Sequence, residues 1–199
     1  MIKPAHRPSL RGDILDNARS LARDGETISL DTAARASGLT KPGLMYHFPT
    51  KVALMAALVD HVMDDCEREL TARLQAHPRH DTGHDTRHDT GHDTGGAPVR
   101  ERLGAYLDWV CDGDFDTSDL VMFIDPRLRE PMTERWAERI EPWLQVPDDL
   151  PDDERARLLG VRLIADGLWF AAASGGVVPT SDERDGVRAL ARRMLGEEA

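Results

Sequence analysis

The sequence predicts an all-α protein, and three observations carry that prediction. Apolar side chains recur at spacings of three and four along most of the chain, and no segment alternates apolar and polar residues as a half-buried strand does. Ser, Thr, Pro and Gly stand where helices of that spacing would begin and end. About nine helices fit the pattern. They comprise three short ones in a head over residues 1–50, a long fourth helix, and a helical body that completes residues 51–199.

From Ser9 onward, Ile14, Leu15, Ala18, Leu21 and Ala22 mark one face of the first helix, and Gly25 supplies a left-handed stop. Ser29 can cap a second helix over 30–37, which Gly38 ends, and Thr40 can cap a third that runs to about His47. Pro49 breaks the chain and Thr50 caps the long fourth helix, whose buried stripe reads Val52, Met55, Leu58, Val59, Val62, Met63, Cys66 and Leu70. Residues 77–97 change character, with His-Asp-Thr motifs beginning at His80, His84, His88 and His92 and no large apolar side chain. Such a tract cannot join a core, and it reads as a solvated linker between the fourth and fifth helices. Helical spacing returns after Pro98 with Val99, Leu103, Tyr106, Leu107 and Val110, followed by helices around 118–124 and over 131–144. An acidic, Pro-rich turn at 147–154 suits the positive end of the apolar helix at 158–173, and a last helix covers about 182–195.

A chain of 199 residues, 40% hydrophobic and 31% charged, has the composition of a globular protein. No run approaches the roughly 18 apolar residues that a membrane span needs. Residues 1–10 lack the apolar core of a secretory signal, and the two cysteines, Cys66 and Cys111, make no disulfide framework, so the expected compartment is the cytoplasm. Both cysteines read as small buried apolar residues. The net charge of −11 argues against a nucleic-acid partner, but the average hides an asymmetry. Residues 1–51 hold eight Lys or Arg against five Asp or Glu, a net of +3, while residues 52–199 hold 17 against 31, a net of −14. All three lysines, Lys3, Lys41 and Lys51, fall in the basic segment.

Within that segment the second and third helices meet the needs of a helix-turn-helix. Ala34 is small where the helices must approach, Gly38 serves the tight turn, and Leu39 and Leu44 are apolar where the unit needs a small core. Lys41, Pro42, Gly43, Tyr46 and His47 are left to face outward. Here the sequence resembles the TetR family, on the apolar helix at 14–22, the helix-turn-helix at 30–47, the aromatic tail Tyr46-His47-Phe48 and the Lys-x-x-Leu start of helix four at Lys51 and Leu54. The resemblance implies that Lys41, Pro42 and Gly43 enter the major groove of a DNA operator. It implies further that Tyr46 and His47 touch phosphate or base methyls, and that Lys51 holds a phosphate. Thr27 and Ser29 either bind backbone phosphate from the start of the second helix or simply cap it. Phe48 reads as a plug between the head and the fourth helix. Two positions depart from the family pattern. Met45 replaces a common aromatic, and Gly43 replaces a small polar residue at a cost of about 1 kcal/mol relative to alanine, which either close approach of backbone to DNA justifies or a packed unit tolerates.

The resemblance also implies a homodimer built on the last two helices, to which Leu158, Leu159, Ile164, Leu168, Trp169, Val187, Leu190, Ala191 and Met194 are suited. Two heads so held would read a palindrome about one helical turn, roughly 34 to 36 Å, apart. A small-molecule effector is implied as well. Tyr106, Trp109, Met122, Phe123, Met132, Trp136, Trp143 and Phe170 either line its cavity or build ordinary core. Asp166, an acid in an apolar run, requires a partner, an exposed edge or a ligand, and an arginine across the dimer is the expected partner. The expected function is therefore a ligand-responsive repressor with no cofactor, no resident metal and no membrane partner. The alternative is a metal-responsive or partner-binding protein that uses the His-Asp-Thr repeat. No phosphate loop, nucleophile elbow or catalytic metal set points to an enzyme.

Overall fold

The computed structural model describes residues 10–76 and 96–197. The apolar spacing at the start of the chain resolves into α1 (Leu10–Arg23), with Ile14, Leu15, Ala18, Leu21 and Ala22 all buried. It is followed by α2 (Leu30–Ala36), α3 (Lys41–His47) and α4 (Lys51–Ala76). Next come α5 (Val99–Asp112), a 3-10 segment at Thr117–Phe123, α6 (Arg129–Leu144), α7 (Asp152–Ala173) and α8 (Ser181–Leu195). Among the described residues there is no strand, and the all-helical architecture is the one the sequence predicts. The His-Asp-Thr repeat at 80–95, with the linker and metal readings attached to it, lies outside the described residues.

Two helices start earlier than their apolar spacing indicates. α6 begins at Arg129, so Pro131 occupies its first turn, where a missing N–H breaks no intrahelical bond. α7 begins at Asp152, and its first turn carries Asp152, Asp153 and Glu154 against the positive end of the helix dipole. α6 also continues past Pro142. The Arg102 guanidinium donates to the carbonyl of Pro142, and to that of Gln145 at 3.1 Å, closing the helix end.

The chain folds as two compact units. The first comprises Met1–Val62 and Thr117–Trp136, the second Met63–Asp116 and Ala137–Ala199, so the division differs from one drawn at residue 50. In the first unit, α2 packs on both α1 and α3, and the 3-10 segment packs on α1. Thr117 Oγ1 donates to the Ala22 carbonyl at 3.2 Å, and Arg19 donates to Ser118 Oγ and Asp119 Oδ1 at 3.3 and 2.8 Å. In the second unit, α5, α7 and α8 form the core. Arg184, Arg188 and Arg192 lie four residues apart on α8 and bond in turn to the Cys111 carbonyl, Asp112 and Asp108. Arg192 Nη2 reaches both carboxylate oxygens of buried Asp108, at 2.7 and 2.6 Å. Cys66 and Cys111 are buried and not joined in a disulfide, and burial above all pushes the Cys111 thiol up, away from the reactive thiolate. No described helix is long and apolar enough to cross a membrane.

Candidate nucleic-acid interface

The helix-turn-helix is assembled by local hydrogen bonds. Ser29 and Thr32 form a reciprocal capping box: the Ser29 hydroxyl accepts from Thr32 N at 3.1 Å, and Thr32 Oγ1 accepts from Ser29 N at 2.9 Å. Thr32 Oγ1 also donates to the Thr27 carbonyl at 2.8 Å. At the turn Gly38 has φ +65, and the next residue, Leu39, closes onto the Ala34 carbonyl at 2.8 Å. Thr40 then caps α3, its hydroxyl accepting from Gly43 N at 3.2 Å. A Cβ on Gly43 would lie 3.2 Å from that same oxygen, a crowding that gives the glycine a reason inside the turn itself.

With α3 fixed in this way, its two faces separate. Leu44 is fully buried and Phe48 closes the helix end inside the head, with the Arg11 guanidinium 4.8 Å above its ring. Lys41, Pro42 and Met45 are exposed, and Tyr46 is 85% exposed, its ring meeting that of half-buried His47 edge-on at 5.2 Å. Gly43 is half-buried. Val52, expected in the buried stripe of α4, is exposed, while Leu54 and Met55 beside it are fully buried, so the covered face of the helix starts there and leaves Val52 outside it.

Both lysines of the described head are held by aspartates. Lys41 Nζ meets Asp31 Oδ2 at 2.9 Å with both side chains exposed. Lys51 Nζ meets Asp125 Oδ2 at 2.5 Å, and Asp125 Oδ1 accepts from Arg127 N at 2.9 Å. The bond from Lys51, then the Arg127 amide, hold the Asp125 carboxyl below its ordinary 3.8. This pair borders an open cleft of about 420 Å³ in the first unit, whose walls include Thr27, Ile28, Met55 and Ile124. The sequence offered no signal for Asp125, which stands 74 positions from Lys51.

The carboxy-terminal half carries the family signal: residues 100–196 match the model described as "Tetracyclin repressor-like, C-terminal domain". That part of the chain is a TetR-type carboxy-terminal domain. No curated protein sequence matches it. Its fold is that of solved structures of low identity. The multidrug binding protein EbrR complexed with imidazole is 17% identical, with 97% of this chain and 98% of that one covered and a TM-score of 0.55. A member of the TetR family from Streptomyces coelicolor A3 is 20% identical, with 94% and 98% covered and a TM-score of 0.56.

The residues expected around an effector divide between the units. Met122, Phe123, Met132 and Trp136 belong to the first, and Tyr106, Trp109, Trp143, Asp166 and Phe170 to the second. Tyr106 stacks on Trp109 at 5.8 Å, and Trp109 meets Phe115 edge-on at 4.7 Å. Asp166 has two partners within the subunit. Tyr106 OH donates to it at 2.8 Å, and Arg162, one turn away on α7, lies at 3.5 Å. Phe123 and Phe170 are exposed, whereas Met122, Met132 and Trp143 are buried.

Of the residues expected at the dimer interface, Leu158, Trp169 and Ala191 are buried in the subunit's own core. Leu159, Ile164, Leu168, Val187 and Met194 are half-buried. Met194 lies so close to α7 that a Cβ on Gly160 would fall 2.7 Å from its Cε. Leu190 is exposed, as are Leu163 at 67% and Phe170 at 52%.

Proposed function

We propose that this protein is a ligand-responsive transcriptional repressor of the TetR family that binds a palindromic DNA operator as a homodimer. One observation carries the reading: α3 buries Leu44 and presents Tyr46, Lys41 and Pro42 to solvent. An aromatic ring left 85% exposed has no role in the head's own core. It suits a duplex, where a ring can meet a thymine methyl and an ammonium a phosphate. The basic character of residues 1–51 within an acidic chain supports the same assignment.

The partner is a second copy of the chain, joined through α7 and α8, where Leu163, Phe170 and Leu190 remain exposed. Dimerisation doubles every phosphate contact and matches a twofold operator. The effector is a small apolar or amphipathic molecule, a reading supported by the imidazole complex of EbrR. It releases the operator by binding more tightly to the conformation in which the head spacing no longer fits.

The test is selection of duplexes from a random pool by the purified protein, followed by anisotropy titration. A twofold-symmetric sequence is expected to emerge. Lys41→Ala and Tyr46→Ala should each weaken binding to it by about tenfold, the equivalent of roughly 1.4 kcal/mol, with unchanged helicity. Enrichment of no sequence, or full binding by both variants, refutes the assignment.

A further inference from the structure

We propose that Asp125 competes with DNA phosphate for Lys51 and thereby sets how strongly the head holds a duplex. The inference rests on the DNA-binding reading and adds to it a residue that no motif carries. Lys51 is the first residue of α4, and its ammonium is bound at 2.5 Å by a carboxylate that offers what a phosphate offers, an anionic oxygen at hydrogen-bonding distance.

The geometry makes this more than a passing surface contact. Asp125 is held by the Arg127 amide through its second oxygen, and the segment that leads to it is fastened to α1 through Thr117, Ser118 and Asp119. The carboxylate side chain is 15% exposed while Lys51 is 36% exposed, so a phosphate can reach the ammonium from solvent without Asp125 being able to follow it outward. The other described lysine supplies the contrast. In the Lys41–Asp31 pair the side chains are 50% and 68% exposed, water and salt screen the attraction, and a duplex can displace the aspartate freely. Lys51 is therefore the contact whose contribution the protein restrains, and Asp125 is the restraint.

Asp125→Asn separates charge from structure, because the amide oxygen still accepts from Arg127 N while the charge that holds Lys51 is gone. Wild type, Asp125→Asn, Lys51→Gln and the double variant would be titrated against a fluorescent duplex of mixed sequence over a salt series. Asp125→Asn is expected to bind about threefold to tenfold more tightly and to steepen the slope of log K against log salt by about 0.9, one added phosphate contact. In the Lys51→Gln background the same change should do nothing, and Asp31→Asn should gain less than about twofold. An equal gain with and without Lys51 overturns the proposal, since the effect would then be general charge, and so does an unchanged salt slope. If Asp125→Asn loses helicity, Asp125→Ser, which also offers an oxygen to Arg127 N, replaces it in the same comparison. Failure of the wild type to bind any duplex overturns the DNA-binding reading and this inference with it.

Discussion

Gly38 shows how much of the head rests on one backbone angle. Its φ of +65 turns the chain between α2 and α3, and the space where a Cβ would stand is empty, so the cost of a side chain there is conformational rather than steric. Gly38→Ala is therefore expected to lower unfolding stability by about 1 kcal/mol in a urea titration. Gly25→Ala, at φ +71 with the same open surroundings, should cost a similar amount. Equal stability of Gly38→Ala and wild type would refute the backbone argument. These positions were legible in the sequence, as were the caps Ser29 and Thr40, because each acts on residues within a few places of itself. Asp125 was not. Its role depends on a contact across 74 positions, and nothing near it in the chain distinguishes it from the other acids of a strongly acidic protein.

Helix ends are where pattern reading and structure part company. Apolar spacing located the bodies of α6 and α7, but both begin earlier, because Arg129 and Asp152 belong to first turns whose polar side chains carry no periodic signal. α8 is the opposite case, since Thr180 and Glu183 stand at the capping-box spacing and form the box. Thr180 N donates to Glu183 Oε2 at 2.9 Å, and Thr180 Oγ1 does so at the same distance. Those two bonds, the backbone one first, hold the Glu183 carboxyl below its ordinary 4.5. A carboxyl depressed in the folded state contributes stability that is present above its unfolded value and is lost as pH falls through the folded one. Urea midpoints between about pH 6 and about pH 3 should therefore fall less steeply for Glu183→Gln than for wild type. Parallel curves would show that the box adds nothing to α8.

At the scale of the whole molecule, the acidic remainder of the chain repels a duplex, so the proposed operator binding would depend on pairing the basic heads. That places the energetic weight on α7. The helix is apolar on nearly every side, and for that reason its sequence did not reveal which face meets the subunit's own core. Leu158, Val161, Ala165 and Trp169 turn inward, while Leu163 and Phe170, seven residues apart and hence on one face, stand exposed with open space at Gly167 between them. Small and large apolar groups on one exposed stripe are what a second copy of the same helix can interlock with. Leu163→Glu would place a charge on that stripe and face it with its own copy across the twofold axis. The variant is expected to sediment as a monomer where wild type sediments as a dimer, with helicity retained because Leu163 contributes little to the subunit core. Operator affinity should then fall by more than about a hundredfold, since each head must find its half-site alone, while binding to a single half-site should be unchanged. A Leu163→Glu protein that remains dimeric would move the interface off this face, and a monomer that binds the full operator as tightly as wild type would show that the two heads do not act together.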